Sequence, residues 1–134
     1  PDGKFDLLLA GERRFRILGE EPGGAYRRAR VAWLPEPETE PREEELLAAA
    51  LVEAADGIRK GLREKAAILE GGVGPLVGFL AAACGETADA RQAVLASGGP
   101  AVRARTLLGR LAPRAAAARA LARALERGVR TAEN

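Results

Sequence analysis

Hydrophobic and polar positions change rhythm once along this chain, from period two to the helical period. Over residues 4–10, Phe5, Leu7 and Leu9 alternate with polar or smaller neighbours, the pattern of a half-buried strand. Gly11 and Glu12 interrupt it, and a second strand is expected over 13–19, with Phe15 and Ile17 on one face and Arg14, Arg16 and Leu18 on the other. Residues 20–24 hold Pro22, Gly23 and Gly24 and read as a loop. A third strand follows over 26–34, with Ala29, Val31 and Trp33 facing one side and Arg28 and Arg30 the other.

Residues 35–41 alternate proline with glutamate and predict an extended connector, because proline lacks a donor and pushes its predecessor out of the helical region. Beyond it the period is helical. A long helix is expected over 42–69, with Leu47, Leu51, Ala54, Ile58, Leu62 and Leu69 in one stripe and Glu43, Glu44 and Glu45 in its first turn, where the helix dipole favours negative charge. Gly71, Gly72 and Gly74 end it. Shorter helices are expected over 75–84, closed by Gly85, and over 87–96, capped by Thr87. Two more are expected, over 100–111 and 113–128, each begun by a proline; Leu121, Leu125 and Val129 stripe the last. Strands first and helices afterwards predict an α+β fold: a β-subdomain over 1–34, a connector over 35–41 and a helical bundle over 42–134.

Composition narrows the chemistry. The 134 residues include no histidine, one serine (Ser97) and one cysteine (Cys84), which rules out Ser-His and Cys-His pairs within the chain and a zinc site of the usual His/Cys kind. No cofactor and no metal is expected. A lone cysteine makes no internal disulfide, and its apolar neighbours predict a buried thiol; a cytoplasmic setting follows as the expectation. No apolar run has a membrane-spanning length, so no membrane partner is expected. Charge is uneven. Residues 1–85 carry 12 basic and 15 acidic side chains, net −3, while residues 86–134 carry 9 and 4, net +5.

Against this background the run PDGKFDLLLAGERRFRIL, followed by PGGAYRRARVAWLPE, resembles the middle of the substrate-binding N-domain of the Lon protease family. In that family a hairpin ends in a glycine followed by an Arg-aromatic-Arg-aliphatic strand, here Gly11, Arg14, Phe15, Arg16 and Ile17. A Tyr-Arg-x-Ala-x-Val strand comes next, here Tyr26, Arg27, Ala29 and Val31. The segment GFLAAACGETADARQAVLASGGPAVRARTLLGRL is similar to the family's helical part, so the resemblance covers most of residues 1–111. It implies a partial antiparallel PUA-like β-subdomain followed by a helical bundle, a non-catalytic domain that recognises unfolded or tagged polypeptides. Against the family's pattern the opening segment is missing before Pro1, and the sheet edge this leaves open would be covered by that segment or a second copy of the chain, or left disordered. The family's ATPase and Ser-Lys protease modules are not represented: no G-x-x-x-x-G-K-S/T phosphate loop and no Ser-Lys motif occurs.

Contact residues expected for a polypeptide are Tyr26 and Trp33, amphipathic aromatics suited to interfaces, with Arg14, Arg16, Arg28 and Arg30 as charged neighbours. A second reading gives the strand arginines to RNA phosphates, by analogy with other PUA-like domains. The plain alternative is a solvated strand face balanced by Glu12, Glu20 and Glu21, with Phe5, Leu7, Phe15, Ile17, Val31 and Trp33 forming the β-subdomain core. The row Arg119, Arg123, Arg127 and Arg130 reads either as an anion-binding face or as the solvated side of an amphipathic helix, and the acidic run from Glu36 to Glu45 as a solvated linker and helix start.

Overall fold

The computed structural model describes residue 11 and residues 13–132, with side chains as far as Ala124. The expected strand over 4–10, including Phe5 and Leu7, lies outside the described residues, as do the side chains of Leu125, Arg127, Val129 and Arg130. The chain is α+β: a two-stranded antiparallel sheet, β1 (Phe15–Glu21) and β2 (Arg28–Trp33), precedes five helices among the described residues. These are α1 (Pro41–Ile58), α2 (Leu62–Ala66), α3 (Val73–Ala83), α4 (Ala88–Ala96) and α5 (Pro100–Ala132). Two compact units divide it, Pro1–Glu36 and Pro37–Asn134. No helix among the described residues is long and apolar enough to cross a membrane.

In the first unit Phe15 pairs with Trp33 and Ile17 with Val31; Gly19 then pairs with Arg30, a register shift at Leu18. Both strands start and stop about two residues later or earlier than alternation alone predicts, because the paired register and the shift, rather than side-chain type, set where the ladder ends. Gly23 and Gly24, at φ 94° and 102°, supply the left-handed backbone that turns the chain between the strands.

In the second unit the helices α1, α3 and α5 run in the same direction. Glu43, near the start of α1, pairs with Arg105 near the start of α5, and Gly57 at the end of α1 lies against Ala115. Similarly, Gly74 at the start of α3 lies beside Arg103, whereas Cys84 at its end accepts from Arg114. Residues 59–72 and 84–99, which include α2 and α4, carry the chain back each time. Leu51, Leu80, Leu107, Leu111 and Val73 are fully buried between the three helices, with Ala54, Ala55, Ala104 and Ala115 bringing the backbones close.

Two expected helix boundaries are corrected. The helix expected over 42–69 is two helices, since α1 stops at Ile58 and Gly61 takes φ 83°, outside the helical region. Asp56 Oδ1 accepts the freed Gly61 N–H at 2.9 Å, and Leu69 falls outside the stripe, in the return segment. Conversely, the helices expected over 100–111 and 113–128 are one, with Pro113 inside α5. Proline there removes one intrahelical donor, a cost of about 3 kcal/mol in an isolated helix. The burial of Leu107 and Leu111 before it and Ala115 after it holds both halves on one axis.

The acidic run is an exposed linker and helix start, as expected, but several of its carboxylates also have specific partners. Glu36 pairs with Arg14, Glu40 accepts the Glu43 N–H at 3.3 Å and so caps α1, and Glu43 pairs with Arg105. Glu44 reaches further: its Oε1 accepts the Val73 N–H at 2.7 Å, capping α3 where Gly72 offers no side chain. At its other end α3 closes in a Schellman motif. Gly85, at φ 71°, donates to Ala82 O at 3.1 Å and Glu86 donates to Ala81 O at 3.0 Å. This turn points the Glu86 side chain, 4 % exposed, at α5, where it accepts from Arg110 Nε at 2.6 Å and from Arg114. Because both guanidiniums are nearly half-exposed, they regain water when the carboxylate is removed. Replacing Glu86 by alanine is therefore expected to cost about 1–3 kcal/mol rather than the larger loss of a fully buried pair. Urea unfolding checks it, as a lower midpoint at unchanged slope.

Candidate functional site: a two-faced hairpin and a basic cleft

Strand alternation sorts the hairpin into two faces. Phe15, Ile17, Val31 and Trp33 form two cross-strand pairs on one face and remain 50, 58, 38 and 56 % exposed, so they are not a closed core. Phe15 and Trp33 meet edge to face, ring centroids 6.1 Å apart, and the Arg13 guanidinium lies 4.5 Å over the Trp33 ring. On the opposite face stand Arg14, Arg16, Arg28 and Arg30. Alternation alone gives this separation; the shift at Leu18 changes only which β1 residue faces Arg30. Without it Leu18 would face Arg30; with it Gly19 does, and a side chain at Gly19 would come within 3.6 Å of the Arg30 guanidinium.

The four arginines differ in availability. Arg14 is held by Glu36 and by Pro35 O at 3.3 Å, and Arg28 donates to Gly23 O at 3.3 Å. The side chains of Arg16 and Arg30 make no hydrogen bond or ion pair among the described residues. Their neighbour Arg27 pairs with Glu20 near the turn, where Tyr26 is 85 % exposed. The structure thus gathers Trp33 with the apolar face and Arg14, Arg16, Arg28 and Arg30 on the other, and leaves Tyr26 at the turn between the strands.

A second feature lies in the helical unit and was not foreseen from sequence. A cleft of about 310 Å³ at the end of α1 is lined by Glu53, Asp56, Gly57, Lys60, Arg63, Ala118, Arg119 and Ala122. Only Arg119 belongs to the expected arginine row; Lys60 and Arg63 sit in a stretch that reads as continuous helix until the break at Gly61 places them at a turn. No group of three or more His, Cys, Asp or Glu able to hold a metal occurs among the described residues. Compared with family models, with curated proteins and with solved structures, the chain finds no match.

Nucleophile chemistry is muted. Ser97 Oγ donates to Val94 O at 2.7 Å at the end of α4. Cys84 is buried, and burial pushes its thiol above the ordinary value of 9.0; Arg114 opposes this, Glu86 adds to it and Arg59 opposes it again. The folded chain therefore keeps a proton that the unfolded chain releases, so this group's contribution to stability is lost as pH rises above the unfolded thiol's range. At pH 8 Cys84 is expected to react with an aromatic disulfide reagent at least about tenfold more slowly in the folded chain than in urea. Absorbance of the released thiolate measures both rates.

Proposed function

We propose that this chain is a non-catalytic polypeptide-recognition module of the kind its resemblance to the Lon N-domain implies, with the hairpin belonging to a PUA-like β-subdomain. The observation that carries the reading is the exposed apolar face of Phe15, Ile17, Val31 and Trp33. Apolar surface of this kind is what an unfolded segment offers in return, and a domain with broad preference needs it uncovered. Guanidiniums on the reverse face and Arg13 at the Trp33 ring add charge that favours acidic flanks on a bound segment. On this reading the chain works in the cytoplasm without cofactor, and a second copy covers whatever sheet edge the hairpin leaves open. The reading gives no catalytic role to Ser97, whose hydroxyl donates to Val94 O, or to the buried Cys84.

A second reading rests on Arg16, Arg28 and Arg30 sharing one face, as RNA phosphates would require. It lacks the aromatic stacking platform that single-stranded RNA favours, since Phe15 and Trp33 lie on the other face.

Carboxymethylated α-lactalbumin, which stays unfolded, serves as the test ligand in fluorescence anisotropy with the full chain. Tyr26→Ala and Trp33→Ala are each expected to weaken binding about five- to thirtyfold. Tyr26 is so exposed that its loss leaves the fold intact, so unchanged affinity in Tyr26→Ala and Trp33→Ala together overturns polypeptide recognition by this surface. Binding of an RNA oligonucleotide that falls steeply with salt and is abolished in Arg16→Ala/Arg28→Ala would favour the second reading instead.

A further inference from the structure

The cleft at the end of α1 gathers three cations from three parts of the helical unit: Lys60 from the turn after α1, Arg63 from α2 and Arg119 from α5. None of the three side chains makes a hydrogen bond or ion pair among the described residues. Two carboxylates also line the space. Asp56 accepts Gly61 N–H at 2.9 Å and Arg63 N–H at 3.5 Å but keeps its charge, as does Glu53, so three cations against two carboxylates leave the lining with a net charge of +1. Small residues make the room: Ala118 and Ala122 line the α5 side, and Gly57 lets Arg119 fold across α1, since a side chain there would meet the Arg119 guanidinium at 3.1 Å and Ala115 at 3.3 Å.

Holding three like charges around one space costs Coulomb energy that nothing else among the lining residues returns in full. The negative end of the α1 dipole offsets part of it. A multivalent oxyanion offsets more, because a phosphate presents several oxygens at once to guanidinium forks and to an ammonium.

We propose that the cleft between the end of α1, α2 and α5 is a binding site for a phosphate group, gripped by Lys60, Arg63 and Arg119. It is separate from the hairpin and independent of the polypeptide reading. About 310 Å³ leaves room for a phosphate together with part of the molecule that bears it.

Calorimetric titration of the full chain with inorganic pyrophosphate tests the site. Saturable one-site binding is expected, weakened about tenfold by each of Lys60→Ala, Arg63→Ala and Arg119→Ala. Arg123→Ala, one turn further along α5 and outside the cleft, should change it by less than about twofold, as should Arg16→Ala in the hairpin. Circular dichroism and the urea midpoint of each variant separate lost binding from lost folding. A parallel titration with adenosine diphosphate distinguishes the sources: tighter binding than pyrophosphate means a nucleotide-borne phosphate, and equal binding means a free one. Absence of saturation, unchanged affinity in the triple variant, or equal binding of glutarate overturns the proposal, leaving the three cations as counter-charges to the end of α1.

Discussion

Three helices pointing the same way cannot be joined by tight turns. Each time the chain leaves the end of one, it must travel the length of the bundle before starting the next, and this constraint shapes the whole helical unit. The return segments hold little regular structure, α2 and α4 being only 5 and 9 residues long, yet each adds to the core, α2 through Leu62 and Ala66 and α4 through Val94. What fixes the geometry is burial of Leu51, Leu80, Leu107 and Leu111 between α1, α3 and α5, with alanines that let the backbones approach. Polar groups then secure the ends. Glu43 ties α1 to the start of α5, Glu44 ties it to the start of α3, and Glu86 ties the end of α3 to the middle of α5. Each of these carboxylates meets a partner that leucine packing has already brought within reach.

The same constraint makes the basic cleft. Since α1 and α5 are parallel and α5 is the longer, α1 ends against its flank rather than at its tip, and the turn that starts the first return segment is pressed into that corner. Lys60 and Arg63 are carried there by backbone geometry, and Arg119 meets them because Gly57 leaves it a path. The hairpin achieves its asymmetry differently. There strand alternation places charge and apolar surface on opposite sides of a two-stranded sheet, and one register shift puts Gly19 rather than Leu18 opposite Arg30.

Much of this was legible in the amino-acid pattern. Thr87 and Ser97 bracket α4 where expected, and Gly85 closes α3, because local chemistry dictates both ends. The order of strands before helices follows from the change of period. Where the pattern misled, longer-range effects decided. The stripe from Leu47 to Leu62 runs on through Gly61 as though nothing happened, since Leu62 is buried from α2 just as it would be from a continuing helix. Pro113 looks like a beginning, yet burial on both sides of it outweighs one missing donor. The acidic run showed its place at the start of α1 but not Glu44's second partner, because a carboxylate that caps a helix nearly thirty residues away leaves no trace in its own neighbourhood. The cleft was hidden for a similar reason: its residues come from three segments that only the parallel packing brings together.

The Glu44 cap also makes the start of α3 depend on a distant part of the chain. An 11-residue helix such as α3 begins unfavourably by itself, since its first turn must be fixed before hydrogen bonds reward it, and Gly72 adds backbone freedom without an acceptor. The acceptor it uses is 29 residues upstream, on a helix that has its own cap in Glu40 and its own proline at the start. The cap of α1 is thus local, whereas that of α3 spans a loop of 29 residues. In the folded chain the first turn of α3 is completed by a side chain of α1, so a change at Glu44 would be felt at the start of a different helix.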